Sequence, residues 1–327
     1  MVTQPAPSMG AGLVPGIFSV TLTGIQGMNA GRAGTRGSLW FVQNPNVVGH
    51  ITASGALATV TLGAAKGLTM IAPASDDGAW VIDSSGSSVF QVRAGKVEER
   101  VTLPEHGSVV SLASPNRLQA WIGWRDPDEL ILVENRAQRV VWRAPAGRHL
   151  MALATRAEHA LVALDGPPGL IDVSRAGATR IVQLPTQCQV VRTVDVATDD
   201  AVWAACGDDA RTIAIVSPSE HVKLISVPDV EITQIFAVSH DTAWLYDGAQ
   251  SKVVGLYQSR VRGSISLGAT GLPGTRMSQL TAFVAIDSQE YLWFGNNRSR
   301  DITRRGPLYE LINAWPSETN SAVPVQH

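Results

Sequence analysis

The amino-acid sequence predicts an all-β chain: a seven-bladed β-propeller of four-stranded blades, closed by an N-terminal strand that completes the last blade. Three observations carry this expectation. The first is a recurring apolar segment built around Trp, seen at Trp40, Trp80, Trp121, Trp203, Trp244 and Trp293, with Val162 standing in its place in the fourth copy. The residues three positions later are Gln43, Asp83, Trp124, Asp165, Cys206, Asp247 and Asn296, at successive steps of 40, 41, 41, 41, 41 and 49. A near-constant step of this size marks a serial repeat. The second is the pattern inside each repeat: four short runs rich in Val, Ile, Leu, Thr and Trp, separated by Gly, Asp, Asn, Ser and Pro, with helical periodicity almost absent. The third is a mismatch at the two ends of the chain. The last repeat is one strand short, and residues 16–22 form a spare strand before the first.

Taken in order, the second repeat reads as strands at 68–71, 79–82, 89–93 and 97–103. The third to sixth repeats follow the same plan. Fourth strands end in Leu103-Pro104, Ala144-Pro145, Leu184-Pro185 and Val227-Pro228. Proline donates no ladder hydrogen bond, so it stops an outer strand and begins the crossing loop. In the seventh repeat the expected strands are 279–286, 291–295 and 308–312, with the N-terminal strand pairing with 308–312. Residues 296–306 are then an insertion at the loop rim. The expected organisation is a flexible N-terminus over 1–15, one propeller domain over 16–315 and a tail over 316–327. One four-stranded blade cannot bury both faces alone, so the Trp of each second strand is expected to pack between neighbouring blades.

Composition narrows the function classes. The chain has 327 residues, 45% hydrophobic and 17% charged, with a formal net charge of −2. That is globular, and it supplies no overall attraction to nucleic acid or anionic membrane. No apolar run approaches the roughly 18 residues that span a bilayer. The first sixteen residues lack the charged start and apolar centre of a signal peptide. A monomer without nucleic-acid or membrane partners is expected.

The residues just beyond the second strands are largely acidic: Asp83, Asp126, Asp128, Asp165, Asp208, Asp209 and Asp247, with Asn296 and Asn297. Carboxylates converging on a central channel can hold a hard cation such as Mg²⁺ or Ca²⁺, and Asp and Asn equally favour tight turns. His106 and His149 fall in loops on the same rim, and no two histidines stand at a metal-ligand spacing. Cys188 and Cys206 lie near the open end of one antiparallel pair, within reach of a disulfide or packed as two thiols. A bridge there implies an oxidising compartment, periplasmic or extracellular.

Leu39-Trp40-Phe41-Val42-Gln43 followed by Val48-Gly49-His50-Ile51-Thr52-Ala53-Ser54-Gly55 resembles the streptogramin B lyase (virginiamycin B lyase) family. Its members repeat a Leu-Trp-Phe-Thr-Glu segment followed by Ile-Gly-Arg-Ile-Thr-x-x-Gly. Tyr291-Leu292-Trp293-Phe294 echoes the segment in the last repeat. The resemblance implies a seven-bladed propeller over nearly the whole chain. It also implies magnesium-dependent elimination across the C–O bond of a macrocyclic lactone, carried by His and Glu side chains on the loop face near the last blades. The family's Pro-His-Gly or Pro-His-Ala motif opens the last two repeats; here those starts read Asp229-Val230-Glu231-Ile232-Thr233 and Thr275-Arg276-Met277-Ser278-Gln279. The family's glutamate corresponds to Asn296. The leading expectation is therefore a binding scaffold for a protein, peptide or glycan ligand. Its rim is built from Gln43, Asp83, Trp124, Asp165, Asp208, Asp247, Asn296, Arg298 and Arg300. The alternative is a metal-dependent lyase or lactone-opening enzyme using Asp83, Asp165, Asp247 and Asn296.

Ring closure by the N-terminal strand has a direct consequence. Deleting residues 1–23 should lower the melting temperature sharply, and an unchanged melting curve would defeat it.

Overall fold

A computed structural model describes residues 18–314 apart from 22–26, 64, 66, 75–76, 84, 94, 105–106, 268–280 and 297–300. The chain forms seven four-stranded antiparallel sheets. In blades 1 to 6 the four strands follow chain order, the first strand innermost and the fourth at the outer edge. Blade 7 takes three strands from the C-terminal part, Thr281–Ile286, Leu292–Asn296 and Asp301–Arg305, and its outer strand from the N-terminal segment Phe18–Thr21. The closing pairs are Phe18 with Arg304, Ser19 with Thr303, Val20 with Ile302 and Thr21 with Asp301.

Strand alternation makes the ring. Successive side chains of a strand point to opposite faces of the sheet, so each second strand serves two interfaces at once. Leu39 and Phe41 pack toward blade 7, whereas Trp40 and Val42 pack toward blade 2. The same division recurs around the ring. The buried apolar residues fall into seven clusters, each shared by two adjacent blades. Trp80, Trp121, Trp203 and Trp293 are among the largest fully buried side chains. Truncating any one of them to Ala removes about 3–5 kcal/mol. The outer strands of blades 2 and 3 carry charge instead: Lys96, Glu98 and Arg100 in blade 2 and Arg139 in blade 3 discourage edge-to-edge association.

Blade 7 differs from the sequence reading in one respect. Its third strand is Asp301–Arg305, and residues 308–314 form a short helix, Leu308–Ala314, in place of the strand expected at 308–312. The physical reason is a polar anchor. Asp287 is buried at the turn between the first two strands. One carboxylate oxygen accepts the backbone N–H of Gln289 at 2.9 Å and of Tyr291 at 3.0 Å. The other accepts the Trp293 indole N–H at 2.9 Å and the Arg304 guanidinium at 3.0 and 3.2 Å. Arg304 is 3% exposed and also lies over the Tyr291 ring, 3.7 Å from its centroid. Only a strand that places Arg304 opposite Trp293 completes this set. Gly306-Pro307 then ends the strand. Proline suits a helix start because its missing N–H would have no partner there, and its carbonyl accepts the N–H of Glu310 and Leu311. Leu308, wholly buried, seals the interface of blades 6 and 7 with Trp244, Leu267 and Val284, and Leu311 packs beside it.

A second correction concerns register. The fourth-blade residue equivalent to the other tryptophans is Leu161, not Val162. Leu161 and Ala163 face blade 5, and Val162 faces blade 3. A one-residue shift exchanges the faces of a strand. The position equivalent to Gln43 and Asp83 is accordingly Leu164, which pairs with Leu150 as Gln43 pairs with Met28.

The Asp287 anchor predicts a large effect for a single change. Asp287→Ala leaves the Arg304 charge buried without its partner, and should lower unfolding free energy by about 3–5 kcal/mol. Urea denaturation checks this; a loss below about 1 kcal/mol would show the anchor to be marginal.

Candidate functional site

The loops joining second to third strands and fourth strands to the next blade share one face, and backbone hydrogen bonds tie them together. Leu62 N–H binds Asn46 O at 2.8 Å, Leu103 binds Ser87 at 2.9 Å, Ala144 binds Asp128 at 2.9 Å, Val227 binds Arg211 at 2.9 Å and Leu267 binds Ser251 at 2.8 Å. The face is a braced rim around the mouth of the central channel.

The rim residues singled out in the sequence mostly serve this bracing. Asp83 is buried and accepts the Ser85 hydroxyl at 2.9 Å and the backbone N–H of Ser87 at 3.0 Å, closing its own turn. Asp247 has no exposure; it accepts Gln250 N–H at 2.9 Å and Glu231 N–H at 3.3 Å. Asp165 accepts His149 N–H at 2.8 Å. Gln43 is buried, whereas Asp208 is exposed, 4.0 Å from Arg192. Asn296 ends the second strand of blade 7, its backbone paired with Thr281 and Asp301. Arg298, Arg300 and His106 lie outside the described residues. Asp128 binds the His149 imidazole at 2.9 Å, and this hydrogen bond raises the exposed His149 above its ordinary value.

Trp124 corrects an expectation. It is 1% exposed and is not displayed on the rim. Three positions from Trp121 reverses the facing side, so Trp124 packs toward blade 2 with Trp80, Ile82 and Val89. Gly86 makes room: a Cβ there would stand 3.1 Å from the Trp124 ring. Cys188 and Cys206 are joined, Sγ to Sγ, and wholly buried between blades 4 and 5. Cys188 lies in the turn Thr186–Cys188 ahead of the first strand, not within it.

The candidate cation ligands do not converge. Asp83, Asp165 and Asp247 belong to blades 2, 4 and 6, none adjacent to another, and each accepts at least one loop N–H. Among the described residues no three His, Cys, Asp or Glu side chains form a group able to hold a metal ion. These residues do not fit the magnesium that the lyase resemblance implies.

The channel itself carries the less ordinary chemistry. Each first strand has a bulge near its start, at Met28/Ala30, Leu68/Met70, Val109/Ser111, Leu150/Ala152, Val191/Thr193, Ile232/Gln234 and Thr281/Phe283. Bulges re-aim side chains at the ends of strands, and the exposed bulge residues Asn29, Thr69, Arg192 and Thr233 stand at the mouth. Deeper in, the residue paired with each second-strand Trp, or with Leu161, forms a ring: Arg32, Ala72, Ala113, Ala154, Asp195, Phe236 and Ala285. Four are alanine and two are charged. Between mouth and ring lies a cavity of ≈ 390 Å³ lined by Arg32, Thr69, Met70, Ser111, Gln234, Tyr246 and Phe283, among others. Phe283 is held in place by two glycines: a Cβ on Gly31 or Gly295 would come within 2.5 Å of its ring.

Arg32 and Asp195 face channel solvent, yet protein surrounds both. Enclosure pushes the Asp195 carboxyl up to about 6, against the Ala237 N–H donated at 2.8 Å and the distant positive charge of Arg32. The same enclosure pulls the Arg32 guanidinium below its ordinary value. Sequence reading missed both residues because it aligned the repeats on their second strands. Aligning the first strands would have exposed two charges at a position that is otherwise alanine or Phe.

No protein-family model matches the sequence, and no curated protein matches it. Similarity appears at the level of structure. The virginiamycin B lyase of Staphylococcus aureus superposes with a TM-score of 0.69 at 13% identity, over 88% of this chain and 98% of the other. The β-propeller domain of Cps50 (Swd1) from Myceliophteria thermophila gives 0.65 at 11% identity, over 88% and 99%. YCF48 bound to D1 peptide gives 0.60 at 11% identity, over 88% and 96%. These likenesses place the chain among seven-bladed propellers of the streptogramin lyase shape, whose structural neighbours include both lyases and a propeller bound to a peptide.

The enclosed Asp195 predicts a pH signature. Its folded-state value lies above that of an unfolded Asp, so the folded chain binds the proton more tightly. Stability relative to Asp195→Asn should fall as pH rises from about 4 to about 6, then stay level. Thermal melts of both proteins from pH 4 to 8 check this; a difference independent of pH would contradict it.

Proposed function

We propose that the protein is a binding propeller that takes a segment of protein, peptide or glycan at the braced rim and into the channel mouth. One observation carries this reading. The rim surrounds a cavity that offers hydroxyl, amide, aromatic and guanidinium groups, while Asp83, Asp165 and Asp247 each accept loop N–H groups. General acid–base chemistry needs a titrating group free to meet the substrate. The starts of the last two repeats contain no histidine to supply one. Propellers host unrelated functions on one scaffold, and the peptide-bound neighbour illustrates the binding use. The joined cysteines support a setting in an oxidising compartment, and the charges on the outer strands of blades 2 and 3 support a monomer.

The second reading, a metal-dependent lyase, is favoured by the superposition over nearly the whole of a virginiamycin B lyase. The two separate cleanly. With Mg²⁺ and quinupristin the protein should show neither ring opening nor a Mg²⁺-dependent rise in melting temperature. Screened against peptide and glycan arrays, it should retain ligands whose binding Thr69→Arg, at the channel mouth, weakens by at least about tenfold. Turnover of the lactone, or capture indifferent to Thr69→Arg, would overturn the binding reading.

A further inference from the structure

The geometry points to a specific ligand class for the channel: a monoanionic carboxylate with an apolar flank, gripped by Arg32. This rests on the binding reading above and deepens it.

Arg32 occupies the ring position where blades 2, 3, 4 and 7 present alanine, so its side chain projects into space that its neighbours leave open. It lines the ≈ 390 Å³ cavity. No acidic oxygen of a described residue lies within 4.0 Å of it, and it donates no side-chain hydrogen bond to a described residue. Its electrostatic counterpart, Asp195, stands on blade 5 and has one carboxylate oxygen occupied by the Ala237 N–H. Arg32 is exposed to the channel and has no close carboxylate among the described residues, so its guanidinium is open to a ligand. Its planar fork matches a carboxylate with two parallel hydrogen bonds.

The rest of the cavity selects among anions. Asp195 shares the ring, so a second negative charge on the ligand would be repelled, which disfavours phosphate. Phe283, fixed between Gly31 and Gly295, and Met70 supply an apolar wall beside the guanidinium. Gln234 and Ser111 at the same mouth offer neutral hydrogen bonds to an adjoining amide. A carboxylate next to an aromatic or aliphatic side chain satisfies all of these groups.

The test uses the full chain at neutral pH and isothermal titration with N-acetyl-L-phenylalanine, its amide N-acetyl-L-phenylalaninamide, and inorganic phosphate. The acid should bind saturably, the amide and phosphate at least about tenfold more weakly. Arg32→Gln should lose at least about tenfold in affinity for the acid and none for the amide, Arg32→Lys should recover part of the loss, and Asp195→Asn should bind the acid more tightly. Circular dichroism confirms that each variant is folded, and the Lys variant keeps the test open if the Gln variant is not. Equal binding of acid and amide, tighter binding of phosphate, absence of saturation, or an acid affinity unchanged by Arg32→Gln would overturn the assignment. An array ligand that depends on Thr69 but not on Arg32 would leave the binding reading standing and end this one.

Discussion

Every blade of this protein has two apolar faces, and neither can be covered by the blade itself. Burial of the second-strand tryptophans therefore depends on a neighbour on each side, and the chain of neighbours must close. Closure rests on four pairs between Phe18–Thr21 and Asp301–Arg305, and the latter strand is held by the Asp287–Arg304 anchor beneath it. Local repeats build six blades, whereas the seventh joins residues nearly 300 positions apart. Contacts of such separation carry the largest loop-closure entropy in the chain. Asp287 and Arg304 lie at that seam.

The same alternation that makes the interfaces divides the roles within each strand. In the second strand one set of side chains faces the preceding blade and the other the following blade, leaving no free position for display. That is why Trp124 is buried and why Asp83 and Asp247, three places after their tryptophans, brace turns. Polar and charged side chains open to the channel stand instead on the first strands. Their bulges turn polar side chains to the mouth, and the ring below mixes alanine with Arg32, Asp195 and Phe236.

Much of the architecture was legible in the sequence because it repeats. Seven copies of one apolar segment, six of them with Trp, proline at the ends of outer strands and the spare N-terminal strand together specify a closed propeller. What was misread depended on contacts distant in sequence. Leu308 and Leu311 suit a strand or a helix equally by their own apolarity, and the choice was made by Arg304 reaching Asp287. Val162 and Leu161 are both apolar, so the fourth-blade register could not be told from residue type. The carboxylates Asp83 and Asp247 appeared available to a ligand because nothing local in the sequence shows which backbone N–H groups they accept. Arg32 and Asp195 went unnoticed as charges scattered in a repeat; only the ring places them at one level.

The account turns on recognition inside the channel, with the rim carboxylates as braces. Backbone hydrogen exchange with a saturating carboxylate ligand tests this most directly. The account predicts new protection in residues 28–33 and 281–286, which flank Arg32 and Phe283, and none in the turns at 83–88 and 247–251. Protection confined to those turns, or to the outer strands, would contradict it.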